Sequence, residues 1–303
     1  GRKMKLLTEG DRTKWLATRR LGLGSSDAPV LVGASRKSLL ALYAEKAGLV
    51  ADDTEETELM EAGLELQPGI GRMFSRKTKR TLLDVAPWSV YQSEETPFML
   101  ASPDFFCEPV DGHATPGGAE VKFVTWVQGD DWEEEPPLAA QVQVQQQMYV
   151  CHREWWSVVG LVRGRMKYAD VDRDDRFLKA LLELARDFMR RVELRDPPAP
   201  DASESAKQVL AELFPQEAPG KVIPLPPDAL RWDAQYLEAD EAEKAAHARK
   251  AEAQNQLRAF LGDAERGMLL GGATWTNKLK SVKAEEKLRA AYSYRDLRRQ
   301  KGK

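Results

Sequence analysis

Ser102-Pro103-Asp104, followed after an interval by Glu120-Val121-Lys122, is the stretch whose reading decides the fold of this chain. Pro103 cannot donate to a sheet ladder, which places Asp104 at a strand edge or turn. Asp111-Gly112 and Gly117-Gly118 lie in the interval, and Val121, Phe123 and Val124 make the second part β-prone. In a strand, Glu120 and Lys122 point to one face and Val121 to the other. Two carboxylates and one amine then converge on a polar spot backed by an apolar sheet. Carboxylate oxygens suit a hard divalent cation such as Mg2+. The lysine would orient a water or stabilise developing phosphate charge. A hairpin with a cross-strand salt bridge uses the same residues, and this stretch alone does not choose between the two.

The rest of the chain narrows the class. It has 303 residues, enough for a sizeable core in one or two domains. The net charge is −3 with 31% charged residues, so affinity for nucleic acid must come from a local patch. Cys107 and Cys151 are too few for a disulfide framework, a four-cysteine iron–sulfur cluster or a four-cysteine zinc site, which points to the cytosol. No apolar run reaches the ~18 residues of a membrane span.

Upstream of Asp104, residues 11–19 read as a helix carrying Trp15, ending in Arg19-Arg20. Gly24-Ser25-Ser26-Asp27 then feeds Ala28-Pro29, with Ser26 or Asp27 as N-cap. A turn of this kind behind two arginines can seat a phosphate, and it can equally be structural capping. Ser38–Gly48 is a second helix. Leu64, Met73 and Phe74 recur at helical spacing, interrupted at Pro68-Gly69, with Arg72, Arg76, Lys77, Lys79 and Arg80 on the far side. Strands follow over 82–92 and 97–101.

Downstream of Lys122, residues 125–137 read as a loop with Trp126, Trp132 and three consecutive glutamates. Leu138–Tyr149 is a helix with five glutamines, of which Gln143 and Gln147 share a face; such a helix is usually exposed, and its position directly after the acidic site offers the alternative that one Gln amide contacts a ligand or metal water. A buried strand over 155–161, a turn at Gly164, a second strand over 166–171 and an amphipathic helix over 173–194 with Phe177, Leu181, Leu184, Phe188 and Val192 inside complete the pattern. Residues 195–228 hold eight prolines and one helical stretch at Ala206–Phe214, reading as a strap or linker. A long Ala-rich helix over 227–261 needs a partner helix, self-association being one option. A hairpin at Gly271-Gly272 follows, then a tail from Lys278 with ten Lys/Arg against three acids, suited to a nucleic-acid backbone or to solvation alone.

Six motifs in order resemble one family: Trp15-x-x-x-Arg19, Gly24-Ser25-Ser26-Asp27, Gly63-x-x-x-x-Pro68, Ser102-Pro103-Asp104, Glu120-Val121-Lys122 and Gln143-Val144-Gln145-x-x-Met148. Over roughly residues 10–195 they look like the YqaJ-type viral recombinases, the phage lambda exonuclease family. The resemblance implies an α/β (α+β) restriction-endonuclease-like PD-(D/E)xK core, a mixed central sheet flanked by helices, with a mostly helical C-terminal extension. The expected division is a nuclease domain over 1–196, the strap over 197–228, and the helix, hairpin and tail over 229–303. The implied activity is a Mg2+-dependent exonuclease, with Mn2+ substituting and two ions per site. It would digest linear double-stranded DNA 5′ to 3′ for recombination by single-strand annealing, in the bacterial cytoplasm of a phage or prophage host. An endonuclease on the same core and a non-catalytic DNA-end-binding scaffold are the alternatives. Implied partners are duplex ends, an annealing protein and further copies of the chain, a ring trimer among the arrangements, without a membrane.

By the same resemblance, Asp104, Glu120 and the Val121 carbonyl hold metal, Lys122 acts on the water or phosphate, and Gln143 completes the catalytic set. Arg19, with Arg20 as fallback, Ser26 and Ser102 match positions that grip a 5′-phosphate. One departure stands out. The family usually has Glu just before the Pro68 position, and here it is Gln67, able to ligate only through a neutral carbonyl. Glu65 lies about 200° round the helix; weaker binding of one metal, or help from Glu94, is the expected consequence. The positions beyond Lys122 that would supply a further phosphate-binding arginine hold Trp126, Val127 and Gln128.

Overall fold

The computed structural model describes residues 4–50, 58–124, 132 and 135–278. Two compact units divide the chain, residues 1–215 and 216–303. In the first, five strands form a mixed sheet in the order β2 (Leu82–Asp84), β5 (Phe105–Cys107), β6 (Gly117–Val124), β7 (Trp155–Val162), β8 (Arg165–Asp172). Every pairing is antiparallel except β6 with β7, which aligns Glu120 with Val158 and Lys122 with Gly160. A parallel pair requires a crossover, and α5 (Leu138–Cys151) supplies it. A second, antiparallel sheet joins β1 (Met4–Thr8), β3 (Val90–Ser93) and β4 (Leu100–Ala101).

Both faces of the large sheet are covered. On one side Ile70 and Phe74 of α4 (Glu58–Thr78) pack against Phe105, Ala119, Val121 and Val159. On the other, α5 shares a core with Trp156, Val158 and α6 (Asp175–Leu194). With both faces buried, β7 reads as a continuous apolar run, as its sequence indicates. α1 (Arg12–Arg20), α2 (Ala28–Leu31) and α3 (Leu39–Lys46) complete the N-terminal part.

Several expectations need correction. α4 runs through Pro68 without a break, because Ile70 and Phe74 beyond it are held in the core. The strand expected over 82–92 is two strands, split at Trp88, whose φ of 61° puts it in the left-handed region. In α6 Leu178 and Ala185 are buried and Leu184 is exposed. Neither Ser26 nor Asp27 caps α2 with its side chain; Asp27 instead accepts from the Gly24 N–H at 2.9 Å. The glutamine helix is buried almost throughout, with Gln145, Gln146 and Gln147 in the interior. The helix in the proline-rich strap, α7 (Glu204–Leu213), sits Val209 against Leu40, Ala41 and Ala44 of α3, inside the first unit. Most of the loop over 125–137 and the tail beyond Lys278 lie outside the described residues.

The second unit holds α8 (Ala229–Leu261) and a hairpin of β9 (Arg266–Met268) with β10 (Thr274–Thr276), as the sequence indicates. None of the described side chains in residues 216–278 is buried. No helix among the described residues is long and apolar enough to cross a membrane.

Close approach fixes Gly118, where a Cβ would lie 2.3 Å from the Trp156 indole. Gly118→Val is expected to cost about 1–3 kcal/mol through overpacking. The measurement is the urea midpoint at an unchanged m-value.

Candidate active site

The polar spot forms where β6 meets α5. Side-chain alternation along β6 sends Val121 to the α4 core and Glu120 and Lys122 to the opposite face. There Glu120 is 4% exposed, and three donors satisfy its carboxylate. Lys122 Nζ donates to Oε1 at 2.7 Å, Gln143 Nε2 to Oε1 at 2.7 Å, and Gln147 Nε2 to Oε2 at 2.7 Å. Lys122 Nζ also donates to Gln143 Oε1 at 2.9 Å. This Glu120–Lys122 salt bridge lies within one strand and not across a hairpin, and the acid and amine sit together on one face.

Asp104 lies in the bend between β4 and β5, and its Oδ2 accepts from the Val121 N–H at 2.7 Å. Burial and the neighbouring Glu120 charge push its pKa well above the usual carboxylate range, despite Lys122 and that N–H. Burial works against the Lys122 ammonium, but Glu120 and Asp104 outweigh it and raise its pKa.

A second group of residues gathers beside this one. Arg19 stacks 4.6 Å over the Trp15 ring, one helical turn apart on α1, and donates from Nη2 to Ser26 Oγ at 2.8 Å. Trp15 Nε1 in turn donates to Ser102 Oγ at 3.2 Å, two residues before Asp104. Asp27 is buried; Lys46 at 2.8 Å and Arg19 hold its carboxyl below the usual range against the cost of burial. Ser26, Lys122 and Gln143 line one cavity of about 410 Å3.

Of the residues singled out in the sequence, Asp104, Glu120, Lys122 and Gln143 come together, and so do Arg19, Ser26 and Ser102. Arg20 is on the exposed face of α1. Gln67 is half-buried on the α4 face that carries Ile70 and Phe74, and it makes no hydrogen bond to either carboxylate among the described residues. Glu65 and Glu94 are exposed. Sequence reasoning placed Gln147 on the face of Gln143, four residues away, but did not assign it to Glu120. It gave no role to Arg36, which lines the cavity and carries no local signal, and it placed Trp132, which lines the cavity as well, only within a loop beside the site.

Residues 14–154 match the YqaJ-like viral recombinase domain. Over 269 residues the chain is 26% identical to protein YqaJ of Bacillus subtilis (strain 168), covering 86% of this chain and 82% of that one. The crystal structure of an alkaline exonuclease, LHK-Exo, from Laribacter hongkongensis aligns at a TM-score of 0.50 and 17% identity. That alignment covers 67% of this chain and all of the other, and it shows a shared fold. Residues 14–154, which carry all six motifs in order, are thus similar to the YqaJ-like viral recombinase domain.

Proposed function

We propose that this protein is a divalent-metal-dependent exonuclease that digests linear double-stranded DNA from 5′ ends, for recombination by single-strand annealing. One observation carries the reading: Ser26, hydrogen-bonded to Arg19, lines the same cavity as Lys122 and Gln143. Ser26 of the proposed phosphate corner and Lys122 of the acid–lysine group therefore face one substrate-sized space.

The donor set fits a hard cation. Asp104, Glu120 and the Val121 carbonyl offer oxygen, and the raised Asp104 pKa, caused by burial and the Glu120 charge, would fall with a cation beside it. Among the described residues no group of three or more His, Cys, Asp or Glu gathers, so carbonyl and water oxygens would complete the shell. Mg2+ held there would polarise the scissile phosphate and acidify a water. Lys122 supplies a fixed positive charge for the pentavalent phosphate, and Gln143 fixes the direction of its ammonium through the 2.9 Å hydrogen bond. Arg19 and Ser26 receive the 5′-phosphate, with Trp15 keeping the guanidinium in place by stacking. Ser102, tied to Trp15, joins this corner to Asp104.

With Gln67 uncharged, binding of DNA ends without cleavage is the second reading. For the second unit, the exposed Leu230, Trp232, Tyr236 and Leu237 of α8 support contact with further copies of the chain or with an annealing protein.

End-labelled duplexes with and without a 5′-phosphate, incubated with Mg2+, test the main reading. Asp104→Ala is expected to lower the rate at least about a thousandfold, a loss of several kcal/mol. Arg19→Ala should raise KM for the phosphorylated end about tenfold, with little change in kcat. Equal release by wild type and Asp104→Ala, or end binding without release, would sink it.

Proton linkage gives a second check. Because the Asp104 pKa is raised, cation and proton compete there, and affinity for Mg2+ should rise with pH. Calorimetry in buffers of different ionisation enthalpy should detect proton release on Mg2+ binding, and Asp104→Asn should abolish it. For the second unit, light scattering of a chain ended at Pro215 should show a smaller assembly than the full chain.

A further inference from the structure

α8 is a 33-residue helix with no buried side chain, and one row of its residues has no task in the nuclease reading. Starting at Trp232 and advancing by seven, the row holds Ala239, Ala246, Ala253 and Phe260. Three residues before each of the last four stand Tyr236, Glu243, Lys250 and Leu257. Together they form a seam over four heptads, with the 3.5-residue repeat along which two helices wind around each other. Large apolar side chains mark the two ends of the seam, and Trp232, Tyr236 and Phe260 are each more than half exposed.

Glu243 and Lys250 interrupt the seam, and they decide what can cover it. The two lie about 10 Å apart along the helix axis, too far to pair with each other. Neither has an ion-pair partner among the described residues, whereas the adjacent Lys244 is paired with Asp240 at 2.6 Å. The helix dipole favours acids in the first turn and bases in the last, but both residues lie in the interior of α8.

In a parallel pair of α8 helices, residues of equal number face each other. Glu243 would then meet Glu243, and Lys250 would meet Lys250. Two antiparallel helices crossing near Ala246 instead set each charge against an alanine of the other copy. Glu243 of one copy comes one layer from Lys250 of the other, and two-fold symmetry makes that contact twice. The Trp232–Tyr236 end of one seam then lies along the Leu257–Phe260 end of the other. The flanking charges agree, with Glu238, Asp240 and Glu241 in one half of the helix and Arg249 and Arg258 in the other. A second copy of the chain supplies this complement without any further partner.

We propose that α8 pairs antiparallel with α8 of a second copy of this chain, with Glu243 of each beside Lys250 of the other. The inference rests on the contact with further copies proposed for the second unit, and not on the nuclease reading.

Spin labels on the full chain at Ala234→Cys or, separately, at Ala248→Cys test the arrangement by pulsed dipolar spectroscopy. Both positions lie off the seam, and the native Cys107 and Cys151 are buried. The distance between copies at 234 should exceed that at 248 by more than about 10 Å, because only the second site lies near the crossing point. Sedimentation over a dilution series measures the strength of pairing. Glu243→Lys and Lys250→Glu should each weaken it at least about tenfold, and the double swap should recover most of the loss. Circular dichroism establishes that each variant is folded. Equal distances at the two sites mean a parallel pair and overturn the inference while contact between copies stands. No distance between copies at 248, which leaves α8 to another protein or another segment, overturns it too, as does a double swap no better than the single ones. Each of these leaves the nuclease reading standing. A paired α8 in a protein that cuts no duplex would uphold the inference and remove the nuclease reading alone.

Discussion

The carboxylate of Glu120 is the group around which the first unit is arranged. A buried, ionised carboxylate is tolerated only when its lone pairs are matched by donors. Here Lys122 comes from the same strand, and Gln143 and Gln147 come from successive turns of α5. That helix must therefore carry polar side chains into the interior. Gln146 and Gln145 extend the pattern on its other sides. Gln146 Nε2 donates to the carbonyls of Leu23 and Leu100, and Gln145 bonds Asp172 and Asp174. A helix that is hydrogen-bonded in so many directions has to be enclosed, which is why both sheets and α6 pack around it.

Gln146 also solves a problem of register. The segment holding Ser26 and the segment holding Ser102 and Asp104 are far apart in sequence, yet under the proposed reading a single phosphodiester unit touches both. Leu23 is bracketed by hydrogen bonds to Phe98 and Leu100 on β4, and Gln146 holds the carbonyls of Leu23 and Leu100 at 2.8 Å each. Asp27 and Lys46 then anchor the turn from the other side, with Lys46 also bonding the Arg19 carbonyl at 2.9 Å. Arg19 needs no strong carboxylate partner of its own. Its nearest oxygen on Asp27 is 3.9 Å away, and its guanidinium is directed by Trp15 and Ser26.

Much of this was legible from residue types. Alternation along Glu120-Val121-Lys122 gave the face of each side chain, and the order of motifs gave the fold. The failures share a cause, because each depended on a partner far away in sequence. Pro68 reads as a helix breaker until Ile70 and Phe74 are known to be buried beyond it. Five glutamines read as a solvated face until Glu120, Leu23 and Leu100 are found opposite three of them. Trp132 reads as a loop residue until Gly160 opens a slot for it. Local propensity cannot anticipate such partners.

A comparison within the sheet separates a site from a structural ion pair. Asp170 and Asp104 are both aspartates against this sheet, and burial raises the pKa of each. Asp170 is answered by Arg80 through two hydrogen bonds of 2.6 and 2.7 Å and by Ser157 at 2.8 Å, and its pKa falls below the usual range. Asp104 has one backbone N–H and another acid close by, and its pKa rises. The first carboxylate is neutralised by the protein itself and stabilises the fold. The second is offset only in part, by Lys122 and the Val121 N–H, and under the proposed reading a cation would supply the rest. A perturbed carboxylate that its own neighbours offset only in part supports the proposed site on the β6–α5 face.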